Sequence, residues 1–329
     1  MKYYIYSHIL FVVGVITAWF LGGPAMAFAV FILAVLEVSL SFDNAVVNAK
    51  VLKTMEPVWQ DRFIKYGIPI AVFGMRGLFP ILIVMVATSM SLPDVFNMAV
   101  NQPEEYHKAL EANEVGIFLF GGSFLMLVGL SFFLDDEKTH HWFFAEKYVT
   151  FLEKGKYCIV ISISTFAVYF SGVEWSINAF AYTYGGILLF WLIDHLDSVL
   201  STNGVRYGII GFLYLEVLDA SFSFDGVITA FAITSNIFVI AAGLGIGAMY
   251  IRSMTLDFVK SGTLDEYRYL EHGAMYSILF LSIIMLAKIF IDIPDMVTSS
   301  IAIVLVGAGF WHSHIVNKAE NDNAETTKK

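Results

Sequence analysis

The sequence predicts an all-α polytopic membrane protein, with about ten transmembrane helices arranged as two five-helix inverted-topology repeats. Three observations carry that expectation. Hydrophobic residues make up 58% of the 329 residues and charged ones only 15%, a balance that cannot cover a water-soluble surface. Lys and Arg concentrate in alternate segments between apolar runs, as they do when every second loop stays in the cytoplasm. A nine-residue stretch of the first half recurs in the second.

Each span needs roughly 20 apolar residues to cross the hydrocarbon. Runs of that kind lie at about 3–21, 25–49, 66–89, 115–134, 157–173, 175–199, 207–233, 236–256, 273–291 and 295–311. The fifth and tenth are short enough to read equally as buried or re-entrant segments. With the N-terminus inside, the inside segments hold Lys2; Lys50, Lys53, Arg62 and Lys65; Lys138, Lys147, Lys154 and Lys156; Arg206; Lys260 and Arg268; and Lys318, Lys328 and Lys329, fifteen of the nineteen basic residues. Lys108 alone falls in an outside loop, and Arg76, Arg252 and Lys288 lie within apolar runs. The expected organisation is a first repeat over 1–173, a second over 174–316 and a polar, disordered cytoplasmic tail over 317–329, with both termini cytoplasmic and the lipid bilayer as the main partner.

Other classes are excluded on composition. Net charge of -10 gives no basic stripe for nucleic acid. One cysteine, Cys158, rules out a disulfide framework and a thiolate metal cluster. No nucleophile elbow, P-loop or HExxH motif is present, so no enzymatic role and no prosthetic group are expected. Lys2 followed by an apolar run and Ala25-Met26-Ala27 imitates a signal peptide, but its n-region has a single basic side chain and the first run has a counterpart later in the chain. Asp94, Glu104, Glu105, Glu111 and Glu114 crowd the longest outside loop, which reads first as a solvated face and second as a weak cation-collecting vestibule.

Residues 35–43, VLEVSLSFD, match 217–225, VLDASFSFD, without a gap, and Glu37 and Asp219 both put a carboxylate at the third position. GIPIAVFGMR, ending at Arg76, resembles GLGIGAMYIR, ending at Arg252. Two halves of five spans follow. Because five is odd, the second half enters the membrane in the opposite sense, and sites in such folds lie near the midplane between the halves.

Glu37, Asp43, Arg76, Glu216, Asp219, Asp225 and Arg252 all fall inside apolar spans. Each costs about 2.5–3.5 kcal/mol at a helix centre, so pairing, water or a bound ion must offset them. Two buried ion pairs between the halves are the bland account. They would still leave three of the five acids without a counter-charge. A divalent cation fits that surplus, and hard oxygen donors favour Mg, Ca or Mn. Asn44, Asn48, Ser39, Ser41, Ser221 and Ser223 can add oxygens, although a serine in a helix more often bonds its own backbone. Residues six apart on an α-helix point about 240° apart, so Glu37 with Asp43, and Asp219 with Asp225, converge only if the helices are locally unwound at SFDN and SFDG. Asp194, His195 and Asp197 read as a solvated helix end or a second ion site, and the pairs His140–His141 and His312–His314 are weak signals.

With SFDNA and SFDG, an acid six positions before each, an arginine in each following helix and the segment RYLEHG at 268–273, the sequence resembles the TerC family of bacterial membrane proteins, in particular its DUF475-type branch. The resemblance implies a manganese exporter of the bacterial cytoplasmic (inner) membrane, in a family associated with tellurium resistance and in part with metal supply to secreted enzymes. It carries over to Glu37, Asp43, Glu216, Asp219 and Asp225 as the acidic positions. The expected site is then Asp43, Asp225, Glu37, Asp219, Glu216 and Asn44 on Mn2+, with Arg76 and Arg252 balancing charge and protons as a candidate exchange ion. A membrane partner that supplies metal to secreted metalloenzymes or their secretion machinery, without net transport, is the alternative.

Overall fold

The computed structural model describes residues 2–135, 142–143, 146–170, 177–201, 206–231 and 233–327. Helix dominates them, and no strand forms; one isolated backbone bridge joins Met55 to Arg206. In order the helices are α1 (Ile5–Leu40), α2 (Phe42–Lys53), α3 (Pro57–Pro69), α4 (Phe79–Thr88), α5 (Leu92–Asn101), α6 (Pro103–Glu111), α7 (Glu114–Phe133), α8 (Glu146–Val149), α9 (Lys156–Phe170), α10 (Ile177–Leu200), α11 (Gly208–Phe231), α12 (Ile237–Ser261), α13 (Thr263–Glu266), α14 (Leu270–Lys288) and α15 (Asp295–Thr327). Six stretches among the described residues are long and apolar enough to cross a membrane: α1, α7, most of α10, α12, α14 and residues Ser300–Glu320 of α15.

The expected spans map onto this set unevenly, and the reasons are local. Runs 3–21 and 25–49 join in α1, which turns sharply at Gly23 with φ 75°, a left-handed conformation cheap only for glycine, just ahead of Pro24. Its two arms fold back on one another. The rings of Phe11 and Phe31 are 5.9 Å apart, whereas 20 residues of straight helix would separate them by about 30 Å. Both arms lie along α12 in opposite senses: Ser7 bonds Met249 O at 3.2 Å and Ser253 Oγ at 2.7 Å in the first, while Leu33 abuts Gly243 and Glu37 abuts Gly247 in the second. Run 66–89 is divided among the end of α3, a nine-residue π-helical segment over Ile70–Leu78, and α4. α9 has only 15 residues, and α11 has the length to span but carries Glu216, Asp219 and Asp225.

Glycines set how closely these helices approach. Gly243 and Gly247, four apart on one face of α12, take the side chains of Leu33 and Glu37 against bare backbone, and Gly121, Gly122 and Gly129 of α7 do the same for Met285, Leu286 and Leu279 of α14. In lipid, where apolar burial drives no association, such close approach is a main source of helix packing. Gly247→Leu is expected to force α12 away from α1 and to destabilise by about 1–3 kcal/mol or more. A lowered thermal unfolding midpoint in detergent, larger than for Gly307→Leu, where no neighbouring atom stands within contact, checks this.

The acidic loop expected to lie outside folds into α5 and α6, which bury Val95, Met98, Ala99, Tyr106 and Leu110 over α4 while Asp94, Glu104, Glu105 and Glu111 are solvent-exposed. α15 is helical to Thr327. Its extension is fastened by Asn317 to the carbonyl of Glu266 and by Glu320 to Arg268, each at 2.6 Å.

Candidate functional site

Five of the charged residues singled out from the sequence form one continuous buried chain. Arg76 Nη2 bonds Glu37 Oε1, and Arg76 Nη1 bonds Asp219 Oδ2 at 2.8 Å. Arg252 Nη2 bonds both oxygens of Glu216 at 3.0 Å and lies 3.4 Å from Asp219 Oδ2. The order is therefore Glu37–Arg76–Asp219–Arg252–Glu216. Glu37 comes from the second arm of α1, Arg76 from the π-helical segment, Glu216 and Asp219 from α11, and Arg252 from α12. Every one of these side chains is buried, the most exposed being Glu216 at 7%. The surroundings are cut to fit them. Gly247 makes room for the Glu37 stem and Gly67 for the Arg252 guanidinium, which also stacks 4.6 Å over the Phe63 ring.

Asp43 stands apart from this chain. Its Oδ2 accepts from Ser277 Oγ at 2.6 Å and its Oδ1 from the Asn44 backbone N–H at 3.0 Å, and no cationic side chain reaches it among the described residues. It faces a cavity of about 40 Å³ shared with Glu37, Ser41, Asn44 and Ser277. That is room for a water or a bare ion rather than an organic substrate. Asn44 is 3% exposed and lines the cavity. A methyl group at Gly226 would stand 3.2 Å from Glu37 Oε2, so that position keeps the cavity wall open toward α11.

The backbone expectation holds in one half and fails in the other. The helix is interrupted at Ser41, between α1 and α2, where Ser41 Oγ donates to Glu37 Oε1 at 3.2 Å and Glu37 and Asp43 come to border one cavity. α11 runs unbroken through Asp225, with no unwinding at SFDG. Gly226 permits a break without compelling one, and in α11 the ladder of backbone hydrogen bonds is kept. The Asp225 side chain lies outside the described residues. Among those described, no three His, Cys, Asp or Glu side chains converge as a ligand set, and Glu37, Glu216 and Asp219 are engaged by arginine.

The weaker candidates do not gather. Asp197 pairs with Arg206 at 3.0 Å, His195 stacks on Trp191, and Asp194 is exposed, which describes an ordinary helix end. His312 stacks on Tyr269, and His140 and His141 lie outside the described residues. Ser277, which bonds Asp43 and lines its cavity, is the residue of this candidate site that sequence reasoning missed. One serine among the residues of an apolar helix carries no signal until its neighbour is known.

The protein family described as "Protein of unknown function (DUF475)" matches residues 42–320. The chain belongs to the DUF475 family. No curated protein and no solved structure matches it. The DUF475 match takes in both halves, including Asp43, Asn44, Arg76, Glu216, Asp219, Arg252 and Ser277, with Glu37 just ahead of it. In this DUF475 protein, Ser277→Ala is expected to remove a hydrogen bond to a charged group, worth about 1.5–3 kcal/mol, and leave a buried carboxylate under-satisfied. Thermal unfolding in detergent should show the loss, and Ser277→Thr, which keeps the hydroxyl, should show most of it recovered.

Proposed function

We propose that this protein is a secondary transporter that exports a divalent metal cation, Mn2+ foremost, across the bacterial cytoplasmic membrane. Asp43 and Asp225 serve as ligands, Asn44 adds an amide oxygen, Glu37, Asp219 and Glu216 complete or gate the site, and Arg76 and Arg252 balance charge when the ion is absent. One observation carries this reading: buried Asp43 has no cationic side chain within reach among the described residues and shares a small cavity with Glu37, Asn44, Ser41 and Ser277. An intramembrane carboxylate in that condition is costly, and a hard cation is what offsets it. Around this site the four described buried acids Glu37, Asp43, Glu216 and Asp219 stand against the two arginines Arg76 and Arg252, leaving two charges for a divalent ion to neutralise. The choice of manganese rests on the resemblance to the TerC family.

Ten spans in two inverted repeats, with both termini cytoplasmic, belong to the same proposal. The fold-back of α1 at Gly23 supports the count, by turning one long helix into two arms. Related positions also play related parts: Arg76 holds Glu37, and Arg252, its counterpart, contacts Asp219, the counterpart of Glu37. α7 and α14, which occupy corresponding places in the two halves, run antiparallel, Gly121 meeting Met285 and Gly129 meeting Leu279.

Purified protein in liposomes tests the reading. Mn2+ influx measured with an entrapped indicator should exceed that of empty liposomes, and a proton gradient should drive it if protons are exchanged. Tight Mn2+ binding with no flux would favour a metal-supplying scaffold, and neither binding nor flux of Mn2+, Mg2+ or Ca2+ would defeat both.

A further inference from the structure

Asp43 and Lys50 are seven residues apart on α2, two helical turns, and so point the same way. Both are met by α14. Asp43 accepts from Ser277, and Lys50 Nζ pairs with Glu271, a contact that Lys50 supplements by lying 3.8 Å over the Phe132 ring. Rising number on α2 thus meets falling number on α14, and the two helices run antiparallel with two polar rungs about 10 Å apart. Between the rungs the contact is sealed from water: Val46 and Val47 on α2 and Ala274 on α14 are at most 1% exposed and belong to one apolar cluster, with buried Asn48 and His272 beside them. Beyond the second rung Lys53 pairs with Asp265, and these outer residues are open to solvent.

α2 is also built to move as a unit. It has 12 residues, about 18 Å, too short to span the hydrocarbon. The interruption at Ser41 bounds it on one side, and the chain leaves helix at Thr54–Met55 on the other. Both partners of the outer rung are about a third exposed, Lys50 at 35% and Glu271 at 26%, so water can replace either when the pair parts. The inner rung is sealed, with Asp43 at 4% and Ser277 at 3%.

We propose that the Lys50–Glu271 pair and the apolar layer beneath it form the gate on one side of the Asp43 cavity, opened when α2 swings from α14 about the break at Ser41. In the transport reading above, on which the direction alone depends, this is the cytoplasmic gate. Glu271 is then a carboxylate that an incoming divalent cation meets before Asp43, held shut in the resting protein by a lysine ammonium that the cation must displace. The device parallels the inner site, where Arg76 occupies Glu37.

The test reads accessibility rather than flux. In full-length protein carrying Cys158→Ser, a single cysteine is placed in the dry layer as Ala274→Cys, and its reaction with a membrane-impermeant cationic thiol reagent is timed from the side bearing Lys50. With the pair intact the cysteine should react slowly. Lys50→Gln should speed the reaction at least tenfold, and the exchanged pair Lys50→Glu with Glu271→Lys should slow it again. Unchanged labelling in Lys50→Gln, or fast labelling in the exchanged pair, overturns the proposal. Should Lys50→Gln not fold, Lys50→Cys with Glu271→Cys, in the Cys158→Ser protein without the Ala274 change, replaces it. Oxidation to the cross-linked form should abolish Mn2+ flux and reduction restore it, and flux through the cross-linked protein overturns the gate. Wild-type protein that moves no Mn2+ yet shows the labelling pattern would retire the transport reading and leave the gate standing.

Discussion

Arg76→Gln is expected to be the most destabilising single change in the molecule, lowering stability by about 3–5 kcal/mol. The side chain is almost wholly enclosed and holds two carboxylates from different helices, Glu37 on α1 and Asp219 on α11. Without it Asp219 retains a 3.4 Å contact with Arg252, whereas Glu37 keeps only the Ser41 hydroxyl among its described partners. The loss is then the cost of an uncompensated buried charge rather than the value of the ion pair itself, which is far smaller. That distinction gives the experiment its second arm. Glu37→Gln in the Arg76→Gln background removes the stranded charge and should recover most of the lost stability, although it restores no salt bridge. Arg76→Lys should fall between, since an ammonium cannot present the guanidinium's two parallel donors to Glu37 and Asp219 together. Thermal and denaturant unfolding in a fixed detergent measure all three. An Arg76→Gln protein as stable as the parent, or a double variant worse than the single, would show that the chain of charges does not hold the halves together.

What the sequence made legible divides by kind of interaction. Charges inside apolar runs stand out because their cost is large, and Glu37, Arg76, Glu216, Asp219 and Arg252 were found in that way and lie in one connected chain. The repeat was visible for the same reason, its two copies being anchored on those carboxylates. What could not be seen was how the acids and arginines divide. Spacing alone let any acid meet any arginine, and only the folded chain shows Arg76 on Glu37 and Asp219, Arg252 on Glu216 and Asp219, and Asp43 on Ser277. Glycine and serine are too common in membrane helices for Gly247 or Ser277 to be picked out beforehand. The π-helical segment was equally hidden, since Gly74, Gly77 and the flanking Pro69 and Pro80 permit several backbone solutions. It matters because it changes the angle at which Arg76 leaves its helix, and such segments recur at functional sites. Equivalent sequences also took different backbones: the chain breaks at Ser41 and not at Ser223.

Asp43→Asn separates function from architecture, and it is expected to do what Arg76→Gln does not. No arginine depends on Asp43, and an asparagine of the same shape can still accept from Ser277 Oγ or the Asn44 N–H through its one remaining carbonyl oxygen. The unfolding midpoint should stay close to that of the parent, and removing an unpaired buried charge works in the stabilising direction. Ion handling should collapse. Loss of groups that only support a ligand costs about 10–100-fold in metal affinity, and loss of a charged ligand should cost at least about 100-fold. In liposomes the variant should show no Mn2+ flux above background at concentrations that saturate the parent, and equilibrium binding should weaken in step. Asp43→Glu offers the finer check: it keeps the charge but adds a methylene inside a cavity of about 40 Å³, so binding should survive with altered preference among Mn2+, Mg2+ and Ca2+. Full transport by Asp43→Asn would move the ion path away from this cavity and leave Asp43 as an acid that serves only to bond Ser277.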